Sequence, residues 1–237
     1  MSGTAGSTGA PRPRFPGLLF VLSGPSGAGK GSVRKAWLER HPDVRFAPSV
    51  TTRAPRTGEE PGVDYLFLDE EGFEDRRRSG ELVEWARVFD HAYGTPRRPM
   101  EEWLGQGVDV VVEKDVQGAM SLKAAYPEAV FVFILPPSFQ ELRRRMIRRG
   151  TESPEAREMR LAHAAQELSY IGEYDYAVVN DRVERAAELL EAIRRAEHCR
   201  AWRQLADGSP LVPEEESSGD GLGAVPAPAR HQPQGEG

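Results

Sequence analysis

The sequence predicts an α/β protein built on a doubly wound parallel sheet. Three observations carry this. Four apolar runs, "LLFVLS" (18–23), "VDVVVEKD" (108–115), "AVFVFILPP" (129–137) and "YAVVND" (176–181), show no polar–apolar alternation, which suits strands covered on both faces. Segments with helical character fill the gaps between them, as a βα repeat requires. The first run opens straight into a glycine-rich loop followed by a helix, the transition at which such sheets bind ligands.

The elements follow in order. Residues 1–17 are Gly, Ser, Thr and Pro with little to bury and are expected to form a disordered tail. After the strand at 18–23, a helix is expected over about 29–40. Residues 49–95 break the rhythm: "YLFL" (65–68) and "LVEWARV" (82–88) are short and mixed in polarity, with glycine at 58, 62, 80 and 94. They predict an inserted small subdomain, mostly β. Helices are expected at 138–149 and 155–171. A last one, 182–205, puts Ala186, Leu189, Leu190, Ile193 and Ala196 on one stripe. Residues 207–237 carry six acids and one Arg among Gly, Pro and Ser and are expected to form a disordered acidic tail. The globular domain is therefore 18–206.

Composition narrows the function. The chain has 237 residues, 29% charged and 39% hydrophobic, and a net charge of −6. Much of that charge lies in the acidic tail. The mildly acidic body argues against a nucleic-acid binder, which shows a basic excess. No apolar run reaches 18 residues, so no membrane span is expected. The N-terminal stretch lacks a signal peptide's apolar h-region, and Cys199 is the single cysteine. A cytoplasmic location follows as the expectation.

"SGPSGAGKGSV" (23–33) holds the first functional signal. Gly24, Pro25, Ser26, Gly27, Ala28, Gly29 and Lys30 have the spacing of a phosphate-binding loop, with strand before and helix after. Such a loop points backbone N–H groups inward as an anion nest, and the helix start adds positive dipole. Lys30 supplies a point charge for the β- and γ-phosphates. The next position, where a magnesium-reaching hydroxyl is expected, is Gly31; the hydroxyl comes one residue later at Ser32. Magnesium tolerates this, since it usually keeps several waters. A small GTPase would also carry an Asn-Lys-x-Asp motif, and this chain has none.

"PSVTTRAPRTGEEPGVDY" (48–65) holds the second. Ser49, Arg53, Arg56, Glu59 and Tyr65 gather around turn formers. Two guanidinium forks three residues apart, with a phenol near, suit a phosphate with several free oxygens. A solvated charged loop is the plain alternative. Glu84 could be the exposed side of an amphipathic strand. Asp115 could simply cap the helix that follows it.

"SGPSGAGKG", "SVTTRAPRTGE", "DY", "VEWARV", "YGTP", "DVQGA", "ILPPS", "RRGTE" and "VVND", in this order and spacing, resemble guanylate kinase of the bacterial type over about residues 17–203. The resemblance implies transfer of the γ-phosphate of ATP to GMP, and expectedly dGMP, in purine nucleotide metabolism. It implies a P-loop NTPase core (18–48 and 96–206), a GMP-binding insert (49–95) and a helical lid (about 138–162). It assigns the GMP phosphate to Arg53, Arg56, Tyr65 and Tyr93, and the base to Ser49, Glu84, Thr95 and Asp115. A carboxylate such as Glu84 accepts from the adjacent N1–H and N2–H₂ of guanine, and Thr95 is expected to donate to O6. Lys30, Arg145, Arg149 and Arg160 would converge on the transferring phosphoryl group, and Asn180 would lie near the adenine. Ser32 and Glu113 are expected near magnesium, Glu113 through water. The partners are ATP and GMP, with the chain either a monomer or a homo-oligomer.

Phosphopeptide-binding modules of guanylate-kinase type lack a complete loop and lid arginines, whereas Gly29, Lys30 and Arg145 are present here. Two departures stand out. Ala47–Pro48 replaces the Ser-Val that usually stands two positions before Ser49. Lys114 stands where the family is apolar or acidic, and could meet Asp115 or Glu113 or point to solvent.

Overall fold

The computed structural model describes residues 15–56, 58–88, 90–148 and 154–204. Residues 1–14 and 205–237, where most of the two expected tails fall, lie outside the described residues, as do Arg149 and Gly150. The elements run β1 (Leu19–Ser23), α1 (Lys30–Arg40), β2 (Arg45–Phe46), β3 (Ser49–Thr51), β4 (Tyr65–Phe67), α2 (Glu70–Arg78), β5 (Leu82–Val88), β6 (His91–Pro96) and α3 (Met100–Gly105). They continue with β7 (Val110–Glu113), α4 (Val116–Ala125), β8 (Val130–Leu135), α5 (Phe139–Arg148), α6 (Pro154–Leu168), a 3-10 turn (Ile171–Glu173), β9 (Tyr176–Val179), α7 (Val183–His198) and α8 (Ala201–Gln204).

Five strands form a wholly parallel sheet in the order β2-β7-β1-β8-β9. From β1 the chain moves out to β2 on one side and returns through β7. It then crosses to β8 and β9 on the other. The order reverses at β1, and the crevice beyond the C-terminal end of that strand is where such sheets bind ligands. The absence of alternation in the apolar runs has a direct cause. Leu18, Phe20 and Leu22 enter one buried cluster with Trp37, Val132, Ile134 and Leu190, while Leu19 and Val21 enter another with Val110, Val112, Leu122 and Phe131. Both faces of the strand are dry, and each such side chain contributes roughly 1.5–3 kcal/mol by burial. Phe20 meets Trp37 edge-on at 5.3 Å between ring centroids, which ties α1 to the sheet.

A second sheet, β4-β3-β6-β5, closes over Val50, Phe73, Leu82 and Ala92. Its β3–β4 pair is parallel and the other two pairs are antiparallel. Pro48 sits at the step between the sheets. Ala47 N–H still bonds Val111 O at 3.0 Å, and the chain then leaves for β3. Pro48, with no N–H to donate, suits the one position where the ladder stops. Within this part α2 is capped by Asp69, which accepts from Gly72 N–H at 2.8 Å. Glu70 and Glu71 lie in its first turn and Arg76–Arg78 in its last, matching the helix dipole.

The last helix departs from its expected stripe. It stops at His198, and α8 follows after a break. Leu189 is 41% exposed, whereas Glu191 is buried because Trp37, Arg194 and Arg195 all donate to its carboxylate. Among the described residues, no helix is long and apolar enough to cross a membrane.

Candidate active site

The glycine-rich loop turns tightly over the C-terminal end of β1. Gly24 has φ 134°, and a Cβ there would collide with the Ile134 carbonyl of the neighbouring strand. Gly29, at φ 93°, is the left-handed N-cap of α1, and a Cβ there would strike Asn180 Nδ2. Only glycine combines these dihedrals with that proximity. Lys30 Nζ curls back to donate to the Gly24 carbonyl at 2.6 Å and the Pro25 carbonyl at 3.4 Å.

The loop is braced from behind. Asn180, buried at the end of β9, donates from Nδ2 to the Ala28 carbonyl at 2.7 Å. Arg145 on α5 donates to the same carbonyl at 3.3 Å and to the Asn180 carbonyl at 3.1 Å. Glu141, one turn earlier on α5, aligns it by accepting from Nε at 3.0 Å. Arg160 on α6 donates to Ser26 Oγ at 2.6 Å. Two arginines expected on phosphate thus rest on the loop that would hold the phosphates; the third, Arg149, lies outside the described residues. Arg143 and Arg144 are exposed and ion-paired with Glu158 and Glu141.

Sequence reasoning missed Glu167. Its carboxylate is buried behind the loop and accepts from Ser26 N–H at 3.4 Å. Burial pushes its pKa up, and the nearby Lys30 ammonium works against that rise. In the sequence it is one acid in a charged helix, with no signal of its own.

A cleft of about 370 Å³ joins the loop to the second sheet. Ser26, Lys30, Gly31 and Ser32 line one side; Ser49, Glu59 and Tyr65 line the other, with Glu113 between. Glu113 accepts from Arg34 Nε at 2.7 Å through one oxygen. A Cβ added at Gly31 would lie 3.7 Å from each Glu113 oxygen, so the loop's missing hydroxyl position faces this carboxylate directly. The exposed Ser32 lines the same cleft. A hydroxyl and a carboxylate, both hard oxygen donors beside a phosphate loop, are a set that fits magnesium with most of its waters retained.

On the far side, Arg53 is buried and its guanidinium is fixed from three directions. Glu59 accepts from Nη2 at 2.9 Å, the Ala54 carbonyl accepts from Nη1 at 2.6 Å, and the rings of Tyr65 and Phe67 stand 5.3 and 5.8 Å away. Burial opposes its charge, but Glu59 and, after it, Tyr93 outweigh this, and the pKa lies above the ordinary value. Glu59 places its second oxygen on the Arg56 backbone N–H at 2.8 Å, so one carboxylate fixes the Arg53 guanidinium and the backbone that carries Arg56. Arg56 is exposed, and Tyr93 stands edge-on to Tyr65 at 6.4 Å. Burial raises the Tyr65 phenol above its usual pKa, with the Glu113 charge adding to the rise, which keeps it a donor.

The base residues form a third group. Thr95 Oγ1 donates to Glu84 Oε1 in a short hydrogen bond. Glu84 is therefore not the exposed side of its strand; its side chain is 10% exposed. Lys114 meets neither Asp115 nor Glu113 and does not reach solvent. Its Nζ lies 3.0 Å from Glu84 Oε1 and donates to Ser49 Oγ at 2.8 Å. Thr95, expected to serve O6, here turns its hydroxyl to Glu84, the carboxylate expected on the same base edge. Asp115 caps α4, accepting from Gly118 N–H at 2.8 Å.

Residues 17–197 match the family model described as Guanylate kinase. A guanylate kinase of Caldanaerobacter subterraneus subsp. tengcongensis is 50% identical over 187 residues, covering 79% of this chain and 91% of that protein. One of Bacillus cereus is 51% identical over 189 residues, covering 79% and 92%. The crystal structure of guanylate kinase from Anaplasma phagocytophilum is similar at a TM-score of 0.67 and 38% identity, covering 79% of this chain and 89% of that one.

Proposed function

The chain belongs to the guanylate kinase family, and from that premise we propose how its residues divide the transfer of the ATP γ-phosphate to GMP, giving ADP and GDP. The observation that carries the reading is the shared cleft, with phosphate-loop residues on one wall and Ser49, Glu59 and Tyr65 on the other. A donor and an acceptor nucleotide bound there approach end to end, as in-line transfer requires.

ATP is held by residues 24–32, with Lys30 on its β- and γ-phosphates. Asn180 contributes by bracing the loop against Ala28. Arg53, Arg56, Tyr65 and Tyr93 bind the GMP phosphate, with Glu59 positioning Arg53 and Arg56. That phosphate is already an oxyanion at neutral pH and attacks without a general base. Arg145, Arg149 and Arg160 belong to a lid over 138–162. As it closes, Arg145 and Arg160 leave their loop contacts, and the three arginines stabilise the charge spread over the transferring group, which is the larger share of such catalysis. Ser32 and Glu113 would hold magnesium, Glu113 through water; the ion would supply charge neutralisation on the phosphates. Ser49, Glu84 and Asp115 read the base within the 49–95 insert and its edge. Adenine has no N1–H or N2 amine and would leave Glu84 unpaired, a strong discrimination. dGMP is expected to serve as an acceptor as well.

The test is turnover with ATP and magnesium against GMP, dGMP, AMP, UMP, CMP and dTMP, with ADP release coupled to absorbance. GMP and dGMP are expected to exceed the others in kcat/KM by about two orders of magnitude or more. Equal rates across the panel would overturn the reading.

A further inference from the structure

Lys114 follows Glu113 at the end of β7, yet its side chain is only 7% exposed. A buried ammonium is costly unless its protons are matched by acceptors. Here two are, by Glu84 Oε1 at 3.0 Å and by Ser49 Oγ at 2.8 Å. An ammonium carries three donors, and among the described residues no third acceptor completes the set. Glu84 is half used in the same way. Thr95 and Lys114 both address Oε1, and Oε2 has no hydrogen-bond partner among the described residues.

The cluster therefore offers an entering molecule one N–H donor beside one carboxylate oxygen. The Watson–Crick edge of guanine is the complement: O6 accepts, and N1–H and N2–H₂ beside it donate. Adenine inverts the pattern, with an N6 amine facing the ammonium and a bare N1 facing the carboxylate. The Thr95 proton is engaged by Glu84 Oε1 in this arrangement, so Lys114 is the donor with a proton to spare. Ser49 accepts from Lys114, so its own proton is free as a second donor.

We infer that Lys114 is a specificity-determining residue of the base site: its ammonium donates to guanine O6 while fixing the Glu84 carboxylate and the Ser49 hydroxyl for the rest of the edge. This rests on the reading that Glu84 receives guanine. It adds a selection against adenine that comes from a cation, where Glu84 alone would supply only an anion.

The full-length protein is tested as native, Lys114→Met, Glu84→Gln and the double variant. KM for GMP, KM for ATP, and the inhibition constant of AMP against GMP are measured, with thermal melting as the fold control. Lys114→Met is expected to raise KM for GMP about tenfold to a hundredfold. KM for ATP should stay within twofold, and the GMP-over-AMP preference should fall at least tenfold. Lys114→Arg, which keeps a cationic donor, is expected to recover part of that preference. Lys114→Met leaves Glu84 unpaired, so where melting shows it unfolded the double variant, which buries no net charge, carries the test. Its preference should lie at least fivefold below that of Glu84→Gln alone. A preference that Lys114→Met leaves within twofold of native overturns the inference, and so does a double variant equal to Glu84→Gln. If Glu84→Gln also leaves the preference unmoved, it is the base-site reading itself that has failed.

Discussion

Arg145 and Asn180 converge on one atom. The Arg145 guanidinium and the Asn180 amide both donate to the Ala28 carbonyl, at 3.3 and 2.7 Å, and Arg145 also donates to the Asn180 carbonyl at 3.1 Å. A residue of α5, one at the end of β9 and the crest of the phosphate loop thus form a closed triangle. Glu141 and carbonyl dipoles neutralise Arg145 here; on the proposed mechanism it moves to phosphate, and Asn180 stays as the donor to the Ala28 carbonyl.

Asn180→Asp tests that division of labour. The change is nearly isosteric, but it sets an anionic oxygen against the Ala28 carbonyl in place of a donor. The buried carbonyl loses its partner and gains a repulsion, at a cost of about 1–3 kcal/mol in stability. KM for ATP should rise about tenfold or more, whereas KM for GMP should stay near native, because none of the groups assigned to GMP touch this triangle. Denaturant unfolding and two-substrate kinetics together check it; equal effects on both substrates would contradict the local role.

Glu59→Gln should act on the other substrate. Glu59 holds Arg53 through Nη2 and Arg56 through its backbone N–H. The amide keeps a carbonyl acceptor for one of these and loses the charge that offsets burial of Arg53. The expected result is a rise of roughly tenfold in KM for GMP, matching the loss of one charge-assisted hydrogen bond, with KM for ATP unchanged. Initial-rate measurements varying each substrate in turn decide it.

Much of this was legible in the sequence, and the reasons are physical. The parallel sheet shows because strands covered on both faces leave uninterrupted apolar runs, as at Val110–Val112 and Val130–Leu135. The phosphate loop shows because its backbone demands glycine at Gly24 and Gly29 whatever the surroundings. What stayed hidden depends on partners distant in the chain. Lys114 could be read as meeting Asp115 or Glu113 or pointing to solvent, because its partner, Glu84 on β5, stands 30 positions earlier in the other sheet. Glu167 and Glu191 stand among other charges with no signal of their own, yet Ser26 N–H claims one and Trp37, Arg194 and Arg195 claim the other. Asp115 could be read as cap or ligand. The structure gives it the cap, and a ligand role rests on its second oxygen.

Glu191 makes a prediction about pH. Although burial pushes its pKa up, hydrogen bonds from Arg194, Arg195 and Trp37 outweigh this and bring it down to about 2. A carboxyl whose folded pKa is depressed binds protons more readily in the unfolded chain. Its stabilisation is therefore fully present above the unfolded value, about 4.5, and is lost as pH falls toward about 2. Glu191→Gln should thus be clearly less stable than native at pH 7, with the gap narrowing below about pH 4.5 and most of it gone near pH 2. Urea unfolding of both proteins at pH 7 and pH 3 measures it. A gap of constant size would show that packing of the side chain, not its ionisation, carries the effect.

Gly31 and Ser32 make the last prediction, which concerns the position of the loop's hydroxyl. Gly31 lies in the first turn of α1, and a Cβ there would meet both Glu113 oxygens at 3.7 Å, an ordinary contact. The site therefore accepts a serine without strain, and the helix would gain up to about 0.5 kcal/mol relative to glycine. Ser32 is one residue further on and exposed to the same cleft. If its hydroxyl helps to hold magnesium, Ser32→Ala should raise the magnesium concentration for half-maximal turnover several-fold, with kcat at saturating magnesium much less affected. Gly31→Ser in the same background should restore that dependence by presenting a hydroxyl directly to Glu113. Magnesium titrations of turnover in the native, single and double variants separate the outcomes. A Ser32→Ala protein with native magnesium dependence would mean that Glu113 and the nucleotide oxygens hold the ion without either hydroxyl.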